Sequence, residues 1–217
     1  MYEVENNKKF KIIFCLLFLI NQLAAQNIGY NLRDSLDRKQ GSWHFIMNNK
    51  GRKHLREVVN YKDDFKYGQF ILYYDNGNIM RDGYYLNDTL NGESHVYRKD
   101  GTLYQIEPYK MGKLHGVKKN FDFLGKLINE QEYKEDILNG IDRTYSKSGR
   151  VISETINVDG LENGTRKIFS DDDSHEIIRE FDFVNGEKTK SRFFKKGKLI
   201  KEESFPIKPF VSKPSID

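Results

Sequence analysis

An all-β fold, an extended single-layer antiparallel β-meander of repeated hairpins, is predicted by three features of the sequence. They are a glycine series of fixed period, aromatic residues locked to that period, and strand-length runs lying between turn-forming dipeptides. Gly68, Gly92, Gly116, Gly140 and Gly164 recur every 24 residues, and Gly77, Gly101, Gly125 and Gly149 form a second series at the same interval. Such a period marks a repeat architecture, in which each unit is one supersecondary motif that buries its surface against its neighbours. Composition agrees: 37% of residues are apolar, the mean hydropathy is −0.74, and 13% are aromatic. That is little aliphatic material for one large core but well suited to half-buried strands.

In chain order, the first segment is not part of this array. Lys8, Lys9 and Lys11 precede nine apolar residues, Ile12 to Ile20, and then Asn21-Gln22-Leu23-Ala24-Ala25-Gln26. Basic, apolar and small-residue regions in that order predict a helical signal peptide over residues 1–25, cleaved near Ala25 or Gln26, and hence export to the periplasm, cell surface or medium. Nine apolar residues fall short of the roughly 20 that span a bilayer. Cys15, the single cysteine, lies within that run, so the mature chain is expected to carry neither a disulfide nor a thiolate metal site.

Residues 26–40 form a lead-in, and residues 41–203 are expected to hold about seven hairpin units. Five residues after each first-series glycine stands an aromatic: Tyr73, Tyr97, Phe121, Tyr145 and Phe169. Two after each second-series glycine stands an aliphatic: Ile79, Leu103, Leu127 and Val151. Asn76-Gly77, Asp100-Gly101 and Ser148-Gly149 favour the positive φ of tight hairpin turns, and all nine glycines read as turn positions. The spacing drifts at both ends, as capping units do. Pro206, Pro209 and Pro214 then mark residues 204–217 as a tail outside the sheet.

These residues resemble the MORN repeat, and more closely its bacterial variant, in which a YYxNGxL core is followed by a tyrosine and an NG junction. Tyr73-Tyr74-Asp75-Asn76-Gly77-Asn78-Ile79 carries the pattern best, and Tyr97-Arg98-Lys99-Asp100-Gly101-Thr102-Leu103 follows it. The resemblance implies an extended hairpin array whose role is protein-protein association. It also implies two further roles, lipid binding for some members and an antitoxin or immunity function for some bacterial ones.

Candidate sites are few. His44, His54, His95, His115 and His175 share no metal-ligand spacing, Asp171-Asp172-Asp173 lacks the spaced oxygens of a calcium loop, and no nucleophile and base pair recurs. No catalytic residue, metal or cofactor is therefore expected. Two features suggest a binding face. The aromatics Tyr73, Tyr97, Phe121, Tyr145 and Phe169 could stack against a partner, although in a single-layer sheet they must first supply packing between hairpins. Lys119, Arg143 and Lys167, two residues before three of those rings, should share their face. They could rest their stems on the rings or offer an anionic lipid head group or glycan a basic patch. With 36 basic and 32 acidic residues mixed along the chain, no nucleic-acid partner is expected. The leading expectation is an exported, non-enzymatic scaffold for a protein partner.

Overall fold

The computed structural model describes residues 29–49 and 51–206; the expected signal segment and the tail from residue 207 onward lie outside them. Within the described residues the fold is a single open antiparallel sheet of 18 strands with no helix. The strands are β1 (Leu32–Arg33), β2 (Lys39–Asn49), β3 (Arg52–Lys62), β4 (Phe65–Tyr73), β5 (Ile79–Leu86) and β6 (Thr89–Leu90). They continue with β7 (Gly92–Tyr97), β8 (Leu103–Lys110), β9 (Lys113–Leu114), β10 (Gly116–Phe121), β11 (Leu127–Lys134) and β12 (Ile137–Tyr145). The last are β13 (Val151–Val158), β14 (Leu161–Glu162), β15 (Gly164–Phe169), β16 (Ile177–Val184), β17 (Glu187–Lys195) and β18 (Lys198–Ser204). Successive strands pair antiparallel, with β6 and β7 sharing β5, β9 and β10 sharing β8, and β14 and β15 sharing β13, so the topology is a meander.

The strand count exceeds the number of runs read from sequence because of a recurring bulge. Asn91, His115 and Asn163 interrupt what would be single strands, separating β6 from β7, β9 from β10 and β14 from β15. In β12 the same feature stays within one strand: Gln131 faces Asp142 and Tyr133 faces Leu138, so Asn139, Gly140 and Ile141 stand against Glu132 alone. The first glycine series therefore sits in bulges along the strands rather than at hairpin tips, a correction to the turn reading of Gly68, Gly92, Gly116, Gly140 and Gly164. The backbone explains the residue choice. Gly140 has φ of 124°, a conformation L side chains rarely adopt, and a Cβ there would collide with the Glu132 carboxylate.

The second series does mark tips. Tyr74 donates its N–H to Asn78 O at 2.8 Å and Gly77 donates to Tyr74 O at 3.0 Å, with Gly77 at φ of 88°. Residues 98–102, 122–126 and 146–150 repeat this bonding. At the opposite ends of the strands, two-residue turns with both φ values positive close the hairpins, at Asp63-Asp64, Asn87-Asp88, Met111-Gly112, Glu135-Asp136 and Asp159-Gly160. These tips also lock each unit to the one before it. The Asp88 N–H donates to Lys66 O at 3.0 Å while the Lys66 N–H donates to Asp88 Oδ1 at 2.7 Å. Asp136 and Leu114 repeat the exchange at 3.0 and 2.7 Å.

Because side chains alternate along strands, the sheet has two faces. One is the more covered and carries Val59, Phe70, Gly83, Ser94 and Glu107 in cross-strand register, all buried. Val59 and Phe70 are the only fully buried hydrophobic residues among those described. The Phe70 ring lies 4.6 Å from that of Tyr85 and fills the space above Gly83, where even a methyl group would be crowded. Farther along the same row the sheet is held by polar contacts, including Arg81 to Glu107 at 2.9 Å and Lys118 to Glu107 at 3.1 Å.

Candidate functional site

The other face brings the sequence-derived candidates together. Its central row begins with His44, Val58 and Ile71, passes through Asp82, His95 and Ile106, and then alternates in charge to the end of the sheet. Lys119 faces Glu130, Glu130 faces Arg143, and Arg143 faces Glu154. Glu154 faces Lys167, Lys167 faces Glu180, Glu180 faces Arg192, and Arg192 faces Glu202. Opposite charges directly across strands are stabilising pairs, and this row is built of nothing else over eight strands. Lys119 lies 3.5 Å from Glu130, Arg143 lies 2.7 Å from Glu154, and Arg192 reaches Glu180 and Glu202 at 3.0 Å each.

The expected basic residues Lys119, Arg143 and Lys167 lie within this alternating row. The three cations do share a face, but Arg143 and Lys167 each stand between two carboxylates in register and Lys119 between Ile106 and Glu130, so the row carries no surplus of positive charge. The hydrogen bond it donates to the Glu154 carboxylate raises the Arg143 guanidinium above its ordinary pKa, as expected of a cation used inside the fold.

The five candidate rings are likewise committed to the sheet. Each faces an aliphatic across the hairpin: Tyr73 with Ile79, Tyr97 with Leu103, Phe121 with Leu127, Tyr145 with Val151 and Phe169 with Ile177. All five are half-buried. Their hydroxyls feed the neighbouring row, Tyr97 donating to Asp82 at 3.1 Å and Tyr145 to Glu130 at 2.7 Å. Burial, reinforced by that bond to Glu130, pushes the Tyr145 hydroxyl up to about 12. The folded chain holds this proton more tightly than the unfolded one, so the group's contribution is complete below about pH 10 and is lost as the pH rises through 12. Tyr145→Phe should flatten the alkaline limb of a stability-versus-pH curve measured by urea unfolding. An unchanged slope between pH 10 and 12 would show that folding does not raise the Tyr145 pKa.

A different cluster is left uncommitted. In three units the hairpin tip is polar, Asp75-Asn76, Lys99-Asp100 and Lys147-Ser148, but between β10 and β11 the corresponding residues are Phe123 and Leu124. They are 74% and 83% exposed, the two largest values among the hydrophobic residues described. The Asp122 carboxylate fixes this turn by accepting the Leu124 and Lys126 N–H groups at 2.8 and 2.9 Å, and these bonds, the one from Lys126 foremost, hold its pKa below the usual range. Beside the tip lies an open groove of about 500 Å³ lined by Arg98, Tyr104, Asp122, Phe123 and Ile128. Its floor is rigid. The Arg98 guanidinium lies over both Tyr104 and Phe123, 4.7 and 4.3 Å from their ring centres, and donates to Phe121 O and Asp122 O at 2.6 and 3.0 Å.

No protein-family model and no curated protein matches this chain.

The nearest approach to acid-base geometry is Asp82, whose carboxylate meets His95 Nδ1 at 2.7 Å and Tyr97 Oη at 3.1 Å. All three are ladder residues, and the contact continues the charge row. Among the described residues no group of three or more His, Cys, Asp or Glu is placed to hold a metal ion. The Phe123-Leu124 tip was not among the residues singled out from sequence. The signal was there, as the one regular unit whose tip dipeptide before the second-series glycine is wholly apolar.

Proposed function

We propose that this chain is an exported, non-enzymatic repeat scaffold of the MORN type, and that it holds a protein partner at the apolar tip formed by Phe123 and Leu124 with the adjoining Tyr104 and Ile128. The observation that carries this reading is the exposure of Phe123 and Leu124 on a turn whose N–H groups are bonded to the Asp122 carboxylate. Exposed apolar side chains are surface a partner can bury, and a pre-ordered turn lowers the entropy lost on binding. The remainder of the face supports a scaffold role by default, since its rings and charges are engaged within the sheet. Partnership of this kind includes an antitoxin or immunity role as one form.

The test is a crosslinked capture from the native envelope fraction with residues 27 to 217 as bait, compared with a Phe123→Ser, Leu124→Ser variant. Each side chain is worth about 1.5–3 kcal/mol when fully buried, so the double variant should lose affinity by ~100-fold or more. Its stability should fall by no more than the exposed Arg98 to Phe123 contact contributes, about 0.5–1 kcal/mol, because both side chains are otherwise in solvent. Undiminished capture by the folded variant would overturn the proposal. Alanine at Tyr97, Phe121 and Tyr145 would be a poorer control, since it removes cross-strand pairs along with any contact.

A further inference from the structure

The two edges of the sheet differ in how they are finished. At the N-terminal edge, β2 is covered: Leu32 and Arg33 pair with Gln40 and Lys39, Asn31 bonds the backbone of Ser42 and His44, and the Tyr30 ring stacks on His44 at 4.6 Å. At the C-terminal edge, β18 pairs with β17 on one side, and among the described residues no strand lies on the other.

The charge row stops there unfinished. Within the sheet, Glu130, Glu154 and Glu180 each stand between two cations, one on either neighbouring strand. Glu202 meets Arg192 at 3.0 Å and Lys190 at 3.4 Å, both on β17, and has an open register position on its other side. The apolar row ends in the same way. In the interior, Leu127 and the Tyr145 ring of the following strand line one groove, whereas the corresponding Leu199 of β18 is 52% exposed and the adjacent Ile200 is 62% exposed. The strand that follows each interior glutamate has one pattern, a basic residue followed two positions later by an aromatic: Arg143 and Tyr145, Lys167 and Phe169, Arg192 and Phe194.

We infer that β18 is a docking edge for an extended segment of a partner protein, added antiparallel, with a lysine or arginine opposite Glu202 and an aromatic two residues later over Leu199. Main-chain hydrogen bonds to a free edge supply affinity in such an arrangement, and alternate side chains supply the choice of partner. Lys198 and Lys201, also on β18, guard the edge against unselected pairing. This inference rests on the scaffold reading but uses a surface separate from the Phe123-Leu124 tip.

The probe is a labelled synthetic peptide with the sequence of residues 187–195, EKTKSRFFK, because that strand makes the required contact with β16 through Arg192 and Glu180. It is titrated into the chain of residues 27 to 217, reading fluorescence anisotropy and amide hydrogen exchange. The expected result is saturable binding that slows exchange in residues 198–204. The peptide carrying Arg192→Glu should bind ~10-fold or more weakly, and the Glu202→Gln chain should bind the parent peptide about threefold more weakly. A parent peptide that leaves β18 exchange unchanged, or binds no better than its charge-reversed form, overturns the inference. A native partner lost by the tip variant while β18 amides exchange freely in its complex would refute the edge and leave the proposed function standing. Peptide binding at β18 with native capture indifferent to the tip variant would do the reverse.

Discussion

Replacing Arg192 by leucine should cost about 1–3 kcal/mol and loosen the C-terminal hairpin before the rest of the sheet. The figure lies below that for a fully buried ion pair because the side chain retains some exposure. Three carboxylates depend on this guanidinium: Glu180 and Glu202 at 3.0 Å and Asp182 at 2.5 Å. Leucine leaves Glu180 and Asp182 on β16 and Glu202 on β18 without the cation that stands between them on β17. Burial opposes ionisation of Asp182, but hydrogen bonds from Thr165 and Arg192 outweigh it and keep its pKa below the usual carboxylate range. That contribution is present above the unfolded value near 3.8 and is lost as the pH falls through the folded one, so the parent weakens in acid. The variant, already lacking the pairing, should weaken less, and the gap between the two proteins should hold steady above the unfolded value near 3.8 and narrow as the pH falls below it. Arg192→Lys should recover only part of the loss, since one ammonium cannot serve three carboxylates as a planar fork does. Urea unfolding at several pH values, with exchange of residues 187–204 as the local readout, checks each step. A pH-independent gap would mean that lost packing of the Arg192 stem, and not charge, causes the effect.

Local chemistry decided which parts of this arrangement were legible beforehand. The tips at Gly77, Gly101, Gly125 and Gly149 could be read because a positive φ at those positions selects glycine, and the aromatic-aliphatic pairs because both members keep the repeat interval. The opposite tips were harder. Asn87-Asp88 and Glu135-Asp136 adopt two positive φ values with no glycine to announce them, held by bonds to the preceding unit that are visible only once strands are paired. With those tips unseen, the first glycine series was taken for the turns when it marks bulges. The charge row was half legible: Lys119, Arg143 and Lys167 stood out, but Glu130 and Glu154, which keep the same interval, did not. Their partnership depends on register, since Lys119 and Glu130 are on strands that a single-residue slip would place on opposite faces. Phe123 and Leu124 are the converse case, a departure from the repeat that is plain in sequence and whose meaning comes from exposure.

The Phe70→Ala substitution should be costlier still, about 3–5 kcal/mol, because it empties one of the two fully buried apolar positions among the described residues. Phe70 is 2% exposed, touches the Tyr85 ring and closes over Gly83, a glycine whose lack of a side chain is what admits the phenyl group. Alanine leaves a cavity the meander cannot collapse, since β4 and β5 are held in register on both sides of it by their ladders. In an array where each hairpin touches only its neighbours, the damage should stay local. Residues 52–97 should lose exchange protection at low urea, while residues 127–204, which rely on the charge row and their own aromatic pairs, keep theirs to nearly the parent's midpoint. A single cooperative transition with uniform loss of protection would contradict this. It would mean that the inter-unit bonds at Asp88 and Asp136 couple the whole sheet into one folding unit, and that stability lost at one end is felt at the other.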